Sequence, residues 1–184
     1  MIITVTGKPG ATIGTLTMGD ISFPCALGRS GIVPNSEKRE GDGATPAGRW
    51  PLRRLLYRAD RLTVPQSNLP MAAITPTDGW CDDPEDPLYN QATRLPYPAS
   101  AESLWREDEL YNLCVVLGHN VDPIVPHKGS AIFFHVAKHD GTELCATEGC
   151  VALPQDTLLR ILMNCSTSTI IEILLEEESE GAAT

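Results

Sequence analysis

The chain has 184 residues, of which 42% are hydrophobic and 21% charged, with 15 Gly, 15 Pro, a formal net charge of −10 and a pI near 4.8. A chain of this length and composition buries a sizeable core without disulfides or metals, and it is too apolar to be disordered. The acidic balance offers no basic groove and so excludes nucleic acid as a partner. Apolar runs of about six residues fall well short of the roughly twenty that a membrane span requires.

Taken in chain order, the first thirty residues predict a β-meander: Ile2 to Thr6, Thr12 to Met18, a turn at Gly19-Asp20, and Ile21 to Ala26. Met1 to Gly7 has neither a basic n-region nor a long apolar h-region, so it reads as a strand and not as a secretion signal. Glu37 to Gly48 is a polar loop rich in Gly, and it leads into a strand at Arg49 to Leu52. From about 65 to 109 the periodicity disappears among Pro65, Pro70, Pro76, Pro84, Pro87, Pro96 and Pro98. Trp80, Tyr89 and Trp105 argue against disorder there, which leaves an ordered insertion that shapes or covers a cleft. Regular strands resume at Asn112 to Leu117 and Ala131 to Val136. A helix follows over Pro154 to Met163, then a last strand over Thr169 to Leu175 and an acidic, solvated tail over 176–184. The expectation is one domain over 1–184, mostly β or α+β, with one principal helix near the end.

Six cysteines are widely and irregularly spaced, with no CxxC pair. Cys25, Cys114 and Cys165 sit in apolar segments and read as core residues. Cys150 differs: it follows Thr147-Glu148-Gly149 shortly before the helix, and His135 ends an apolar strand upstream. A thiolate is a nucleophile, and a neighbouring imidazole can deprotonate it and later protonate a leaving amine. Gly149 before the thiol allows a tight turn that aims successive backbone N–H groups at a developing oxyanion. The following helix N-terminus, some four residues on, would modestly favour the thiolate. By spacing alone this His/Cys pattern is weak, and a buried His and Cys, or a metal site drawn from His135, His139, Cys145 and Cys150, stay open beside it. The spacings are loose for structural zinc.

The segments Gly129-Ser130-Ala131-Ile132-Phe133-Phe134-His135-Val136-Ala137 and Thr147-Glu148-Gly149-Cys150-Val151-Ala152-Leu153 resemble the catalytic motif of the YkuD-type L,D-transpeptidases. Glu40 to Gly48 resembles that family's upstream loop, and Tyr111 to Asn120 resembles the strand that runs to its site. The resemblance covers about 41 to 162. It implies a β-sandwich-like catalytic domain and a peptidoglycan enzyme of the cell wall, tied to cell shape and placed in the cell envelope or periplasm. It implies no cofactor and no metal, and peptidoglycan stem peptides as the partner.

In the family pattern Cys150 attacks an L,D-peptide bond to form a thioester. His135, oriented by a backbone carbonyl, is its base, and the amides around Gly149 and Cys150 form the oxyanion hole. An amine then gives a cross-link, whereas water gives L,D-carboxypeptidase or endopeptidase activity. An inactive wall-binding or zinc-binding module is the reading from a different class.

Substrate-binding candidates are His119, Asn120, Thr147, Glu148, Trp80 and Tyr89, with Asp82, Asp83 and Asn90 as further cleft candidates. His127 and His139 read as exposed loop residues. The chain departs from the family where many members carry His two residues before the cysteine, here Glu148, and Arg or Asn two residues after it, here Ala152. A carboxylate beside a thiolate raises its pKa, so Glu148 is expected to point away or to contact a substrate or a cation. Losing the Arg removes a fork suited to a carboxylate and points to an unusual stem-position preference.

Overall fold

The computed structural model describes residues 1–176; the rest of the predicted acidic tail lies outside them. Three hairpin-connected strands open the chain as expected: β1 (Ile2–Gly7), β2 (Ile13–Met18) and β3 (Ile21–Ala26). The loop that follows is pinned by a two-residue parallel pair, β4 (Ile32–Val33) and β5 (Thr45–Pro46). β6 runs over Gly48–Tyr57, much longer than the four residues expected, because Arg53 and Arg54 interrupt the apolar pattern without interrupting the strand.

The 65–109 insertion is ordered. It holds β7 (Met71–Ala73), β8 (Asp78–Cys81), β9 (Ala92–Arg94) and β10 (Ala101–Ser103). At three or four residues each, these strands are too short to show a period between prolines. β11 (Leu113–Leu117), β12 (Phe133–Val136), the small hairpin β13 (His139–Asp140) and β14 (Glu143–Leu144), β15 (Val151–Leu153), α1 (Gln155–Leu162) and β16 (Ile170–Leu175) complete the chain.

The main sheet has the order β11-β12-β15-β3-β2-β1-β16-β6-β7, and β11 also pairs with β6. That extra pairing closes eight strands into a mixed barrel, with β7 appended to β6. The mostly-β expectation with one helix after the cysteine holds, and the sandwich-like sheet closes on itself. Closure leaves β6 and β11 no open edge between them. Within the barrel two pairings are parallel in ways a meander does not supply: β1 with β16, and β12 with β15.

Inward residues alternate along the barrel: Ile3 and Val5, Leu113, Val115 and Leu117, Phe134 and Val136, Val151 and Leu153, Ile171 and Ile173 form one cluster. α1 adds Leu158, Ile161 and Leu162 to it, all fully buried. At about 2 kcal/mol per buried aliphatic side chain, the helix is held by packing more than by propensity.

The outward faces of β6, β11 and β12 are apolar too. Leu56, Cys114, Val116 and Phe133 form a second cluster with Ile74, Trp80 and Leu104 of the insertion, and Tyr111 and Cys150 belong to it. The insertion's three-stranded sheet, β10-β8-β9, therefore covers the barrel's outer wall over β6, β11 and β12. Arg58, at the end of β6, clamps its exit. The guanidinium donates to Asp60 at 2.8 and 2.9 Å and to the Arg106 carbonyl at 2.6 Å, and it lies 3.6 Å over the Trp105 ring.

Candidate active site

Register places the two principal candidates on one face. β12 and β15 pair in parallel with His135 opposite Ala152, so Cys150 lies two residues back on the side that His135 occupies. Phe134 and Val136 point into the barrel; His135 and Cys150 point the other way, toward the insertion. Both line a cavity of about 450 Å³ together with Lys38, Glu40, Asp82, Glu102, Arg106, Tyr111, Ser130, Ala131, Cys145, Thr147 and Glu148, among others.

The imidazole is fixed by its own strand. Nδ1 lies 2.8 Å from the Val136 carbonyl, which can only accept, so Nδ1 carries the proton and Nε2 keeps its lone pair. The edge of Tyr111 packs on the ring with centroids 5.4 Å apart. Burial pushes the pKa of His135 down to about 4. The Cys150 thiol donates to the Ala131 carbonyl and accepts from the Phe133 N–H, each at 3.3 Å. Burial pushes that thiol up to about 12. The resting pair is thus a neutral thiol and a neutral imidazole, not an ion pair. The helix effect expected from sequence does not operate, because β15 separates Cys150 from α1.

Ala131 has φ +51°, a left-handed conformation that costs an alanine energy. That kink turns the Ala131 carbonyl to the thiol and its N–H to Asn90 Oδ1 at 3.0 Å. Asn90 is buried, with every polar site used: Oδ1 also accepts from Trp80 Nε1 at 3.0 Å, and Nδ2 donates to the His119 and Asn120 carbonyls at 3.2 and 2.7 Å.

The segment before the thiol is equally constrained. Thr147 Oγ1 donates to the Cys150 carbonyl at 2.7 Å and accepts from the Gly149 N–H at 3.1 Å. The Gly149 amide, expected to face an oxyanion, is therefore engaged in the resting site. Gly149 has φ +131°, and a Cβ there would sit 2.8 Å from the Ala44 carbonyl oxygen. Gly149→Ala should misplace the thiol and cost at least about a hundredfold in turnover, measured with the melting temperature as control.

Glu148 meets a cation, as its place beside a thiol requires: Arg29 Nε donates to Oε2 at 2.7 Å across an exposed surface. Ala152 is fully buried against Ala26 and Ala137 and has no room for an arginine. Trp80 and Tyr89 do not line the cavity. Trp80 packs edge-on against Phe133 at 5.2 Å, while the Tyr89 hydroxyl bonds Glu40 and accepts from the Gly129 N–H at 3.0 Å. Their place is behind the wall, because an aromatic ring offered to a short, half-buried sheet is taken up by its core.

His119 and Asn120 line a neighbouring hollow with Trp50 and Lys128. Asn120 ties its side chain to Val125 and Gly129, and Asp82 lines the cavity that holds His135 and Cys150. His127 and His139 are exposed. Among the described residues no three His, Cys, Asp or Glu side chains converge as a metal site.

Sequence reasoning missed Lys38, Glu102, Arg106 and Tyr111 as lining residues and offered Cys145 only as a metal ligand. Tyr111 donates to Glu102 Oε1 at 2.6 Å, and burial raises the Glu102 carboxyl. Arg106 lies 5.2 Å over the Tyr111 ring and forks onto Asp108 at 2.8 and 2.7 Å. Glu102 and Arg106 come from the insertion, where no periodic or motif signal marks them.

Burial of ionisable groups implies a pH profile of stability. His135 and His119 are both held near 4 by burial, against an ordinary 6.5. Between those values the unfolded chain binds protons that the folded chain refuses, so stability falls as pH falls from about 6.5 to 4. Cys25 and Cys150 are raised to about 12 and Cys165 to about 11 by burial, against an ordinary 9.0, so stability also falls as pH rises above about 9. Urea unfolding across pH should show a plateau between about 6.5 and 9, with on the order of 3 kcal/mol lost per histidine on the acid side.

No curated protein and no solved structure matches the chain. The family model described as YkuD: L,D-transpeptidase catalytic domain matches residues 16–173, which takes in β3, the upstream loop, the insertion, His135 and Cys150. The chain belongs to the YkuD family of L,D-transpeptidase catalytic domains, peptidoglycan enzymes typical of the cell envelope, and none of its described helices is long and apolar enough to cross a membrane.

Proposed function

We propose that the protein forms peptidoglycan cross-links by acyl transfer through a Cys150 thioester. The observation that carries this reading is that His135, with Nδ1 anchored on the Val136 carbonyl, and Cys150 face one cavity from adjacent parallel strands.

In the resting site the thiol is bonded to Ala131 and Phe133. A stem peptide entering the cavity releases it by rotation about χ1, and Nε2 of His135 takes the proton as sulfur attacks the carbonyl carbon. A thiol at about 12 beside an imidazole at about 4 makes proton transfer uphill before attack, so it is coupled to bond formation. Backbone N–H groups at Gly149 and Cys150 receive the oxyanion once the Thr147 hydroxyl yields the Gly149 N–H. The tetrahedral intermediate collapses, His135 protonates the leaving amine, and the thioester stays on sulfur. An amine of a second stem then attacks the thioester, His135 takes its proton, and the thiol is regenerated.

Thr147 holds the Cys150 backbone and Glu148 sits at the rim with Arg29. Trp80 and Tyr89 support the wall from behind. The buried Ala152 supports a stem-position preference different from that of members with Arg there. Water can replace the acceptor amine on the same scaffold and would give an L,D-carboxypeptidase or endopeptidase.

Incubating the protein with purified muropeptides and resolving products by mass spectrometry tests the proposal. Cross-linked dimers are expected; trimmed monomers alone would assign hydrolysis instead. Products unchanged by Cys150→Ala would sink the mechanism.

A further inference from the structure

Three cations line the catalytic cavity: Lys38, Arg106 and Lys138. Arg106 is already engaged, with two donors on Asp108 and Nη1 at 3.5 Å from Glu102. Lys138 stands exposed at the rim. Lys38 is different, because its side chain is only 3% exposed. Its ammonium donates to the Arg39 carbonyl at 2.9 Å and to Asp42 Oδ1, and its third hydrogen has no acceptor among the described residues.

The seat of this lysine is built. Asp42 is held in place by the N–H groups of Ala44 and Arg39 at 2.8 and 2.7 Å. Gly129, with φ +96°, makes room from the other side: a Cβ there would lie 2.9 Å from Lys38 Cε. The Tyr89 hydroxyl receives the Gly129 N–H and so fixes that wall. A buried ammonium is costly unless its donors are satisfied, and this one keeps a donor for a guest in the cavity. Of the acidic lining groups, Glu40, Glu102 and Glu148 are engaged by Tyr89, Tyr111 and Arg29, and Asp82, whose Oδ1 is buried without a partner, makes no hydrogen bond to Lys38. At Ala152, two residues after the nucleophile, there is neither a cation nor space for one.

We propose that Lys38 is the carboxylate-binding residue of this cavity, and that a free carboxylate of the peptide substrate docks on its third N–H while the reacting carbonyl lies at Cys150. This assignment rests on the acyl-transfer reading above for its substrate class. It makes Lys38 a specificity residue that selects stems with an unblocked carboxyl group next to the bond attacked.

The test uses two synthetic stem peptides that differ only in a free or an amidated terminal carboxyl. Their binding to the Cys150→Ala protein is measured by calorimetry. The acid should bind at least about tenfold more tightly than the amide, as expected for a charge-assisted bond. Adding Lys38→Met together with Asp42→Asn removes both members of the pair and leaves no orphaned charge. That variant should melt as a folded protein and bind the two peptides about equally. Equal binding in the Cys150→Ala protein, or discrimination that survives loss of Lys38, would overturn the assignment. If the acid peptide binds selectively through Lys38 and yet the wild-type protein never turns it over, the acyl-transfer reading fails and the carboxylate site stands.

Discussion

Replacing Cys150 by alanine should abolish stem-peptide turnover, by about four orders of magnitude or more, while the protein stays folded. The two halves of this expectation have different origins. The chemical half follows because no other group on the cavity wall combines a nucleophilic atom with an imidazole one strand away on the same face. Cys145 lines the cavity too, but it follows the β13–β14 hairpin and has no place in the β12–β15 register. The stability half follows from what the thiol touches. It contributes one sulfur to the edge of the second cluster and two weak bonds of 3.3 Å, which together are worth about 1–2 kcal/mol. Cys114→Ala supplies the contrast. That thiol is fully buried across from His135, so its loss should cost comparable stability and spare turnover. Melting curves and the muropeptide assay on both variants read the difference.

Asn90→Ala should be the most destabilising single substitution around the site, at about 3–5 kcal/mol. Asn90 satisfies four groups at once: the Trp80 indole N–H, the Ala131 N–H and the carbonyls of His119 and Asn120. All four lie around a side chain that is 4% exposed, so alanine leaves them without a partner and opens a cavity. Each orphaned buried group costs about 1–3 kcal/mol, with part recovered by water entry. For a chain of this size the melting temperature should fall by about 10–15 °C. The effect should reach the thiol as well. Asn90 holds the Ala131 N–H in its left-handed kink, and the Ala131 carbonyl holds Cys150. Alkylation of Cys150 below the melting transition should therefore speed up in the variant. A stability loss with unchanged alkylation would show that the hub does not position the thiol.

How much of this could be read from the sequence depended on the signal each residue carries. The meander, β11, β12, α1 and β16 announced themselves through alternation, apolar runs and Pro154, and each lies within a residue or two of its expected place. Cys150 and His135 were legible only through the segments around them, since a histidine fifteen positions before a cysteine is common. Closure of the barrel was not legible, because the β6–β11 pairing joins segments more than fifty residues apart and has no local signature. Trp80 misled as a cleft residue for a physical reason: the insertion must bury something against the outer faces of β11 and β12, and it uses this indole for that, whereas Tyr89 spends its hydroxyl on Glu40 and the Gly129 N–H. The polar residues that do reach the cavity from the insertion, Glu102 and Arg106, look like ordinary surface charges in sequence. Lys38 is hidden in the same way within a loop of mixed charges, Glu37 to Asp42.

The most direct measurement is the intact and peptide-level mass of the protein after brief incubation with a stem peptide and acid quench. An acyl adduct on Cys150 is expected, sensitive to hydroxylamine as thioesters are and absent in the Cys150→Ala protein. An adduct on another residue, or turnover of the same peptide with Cys150 unmodified at every quench time, would contradict it.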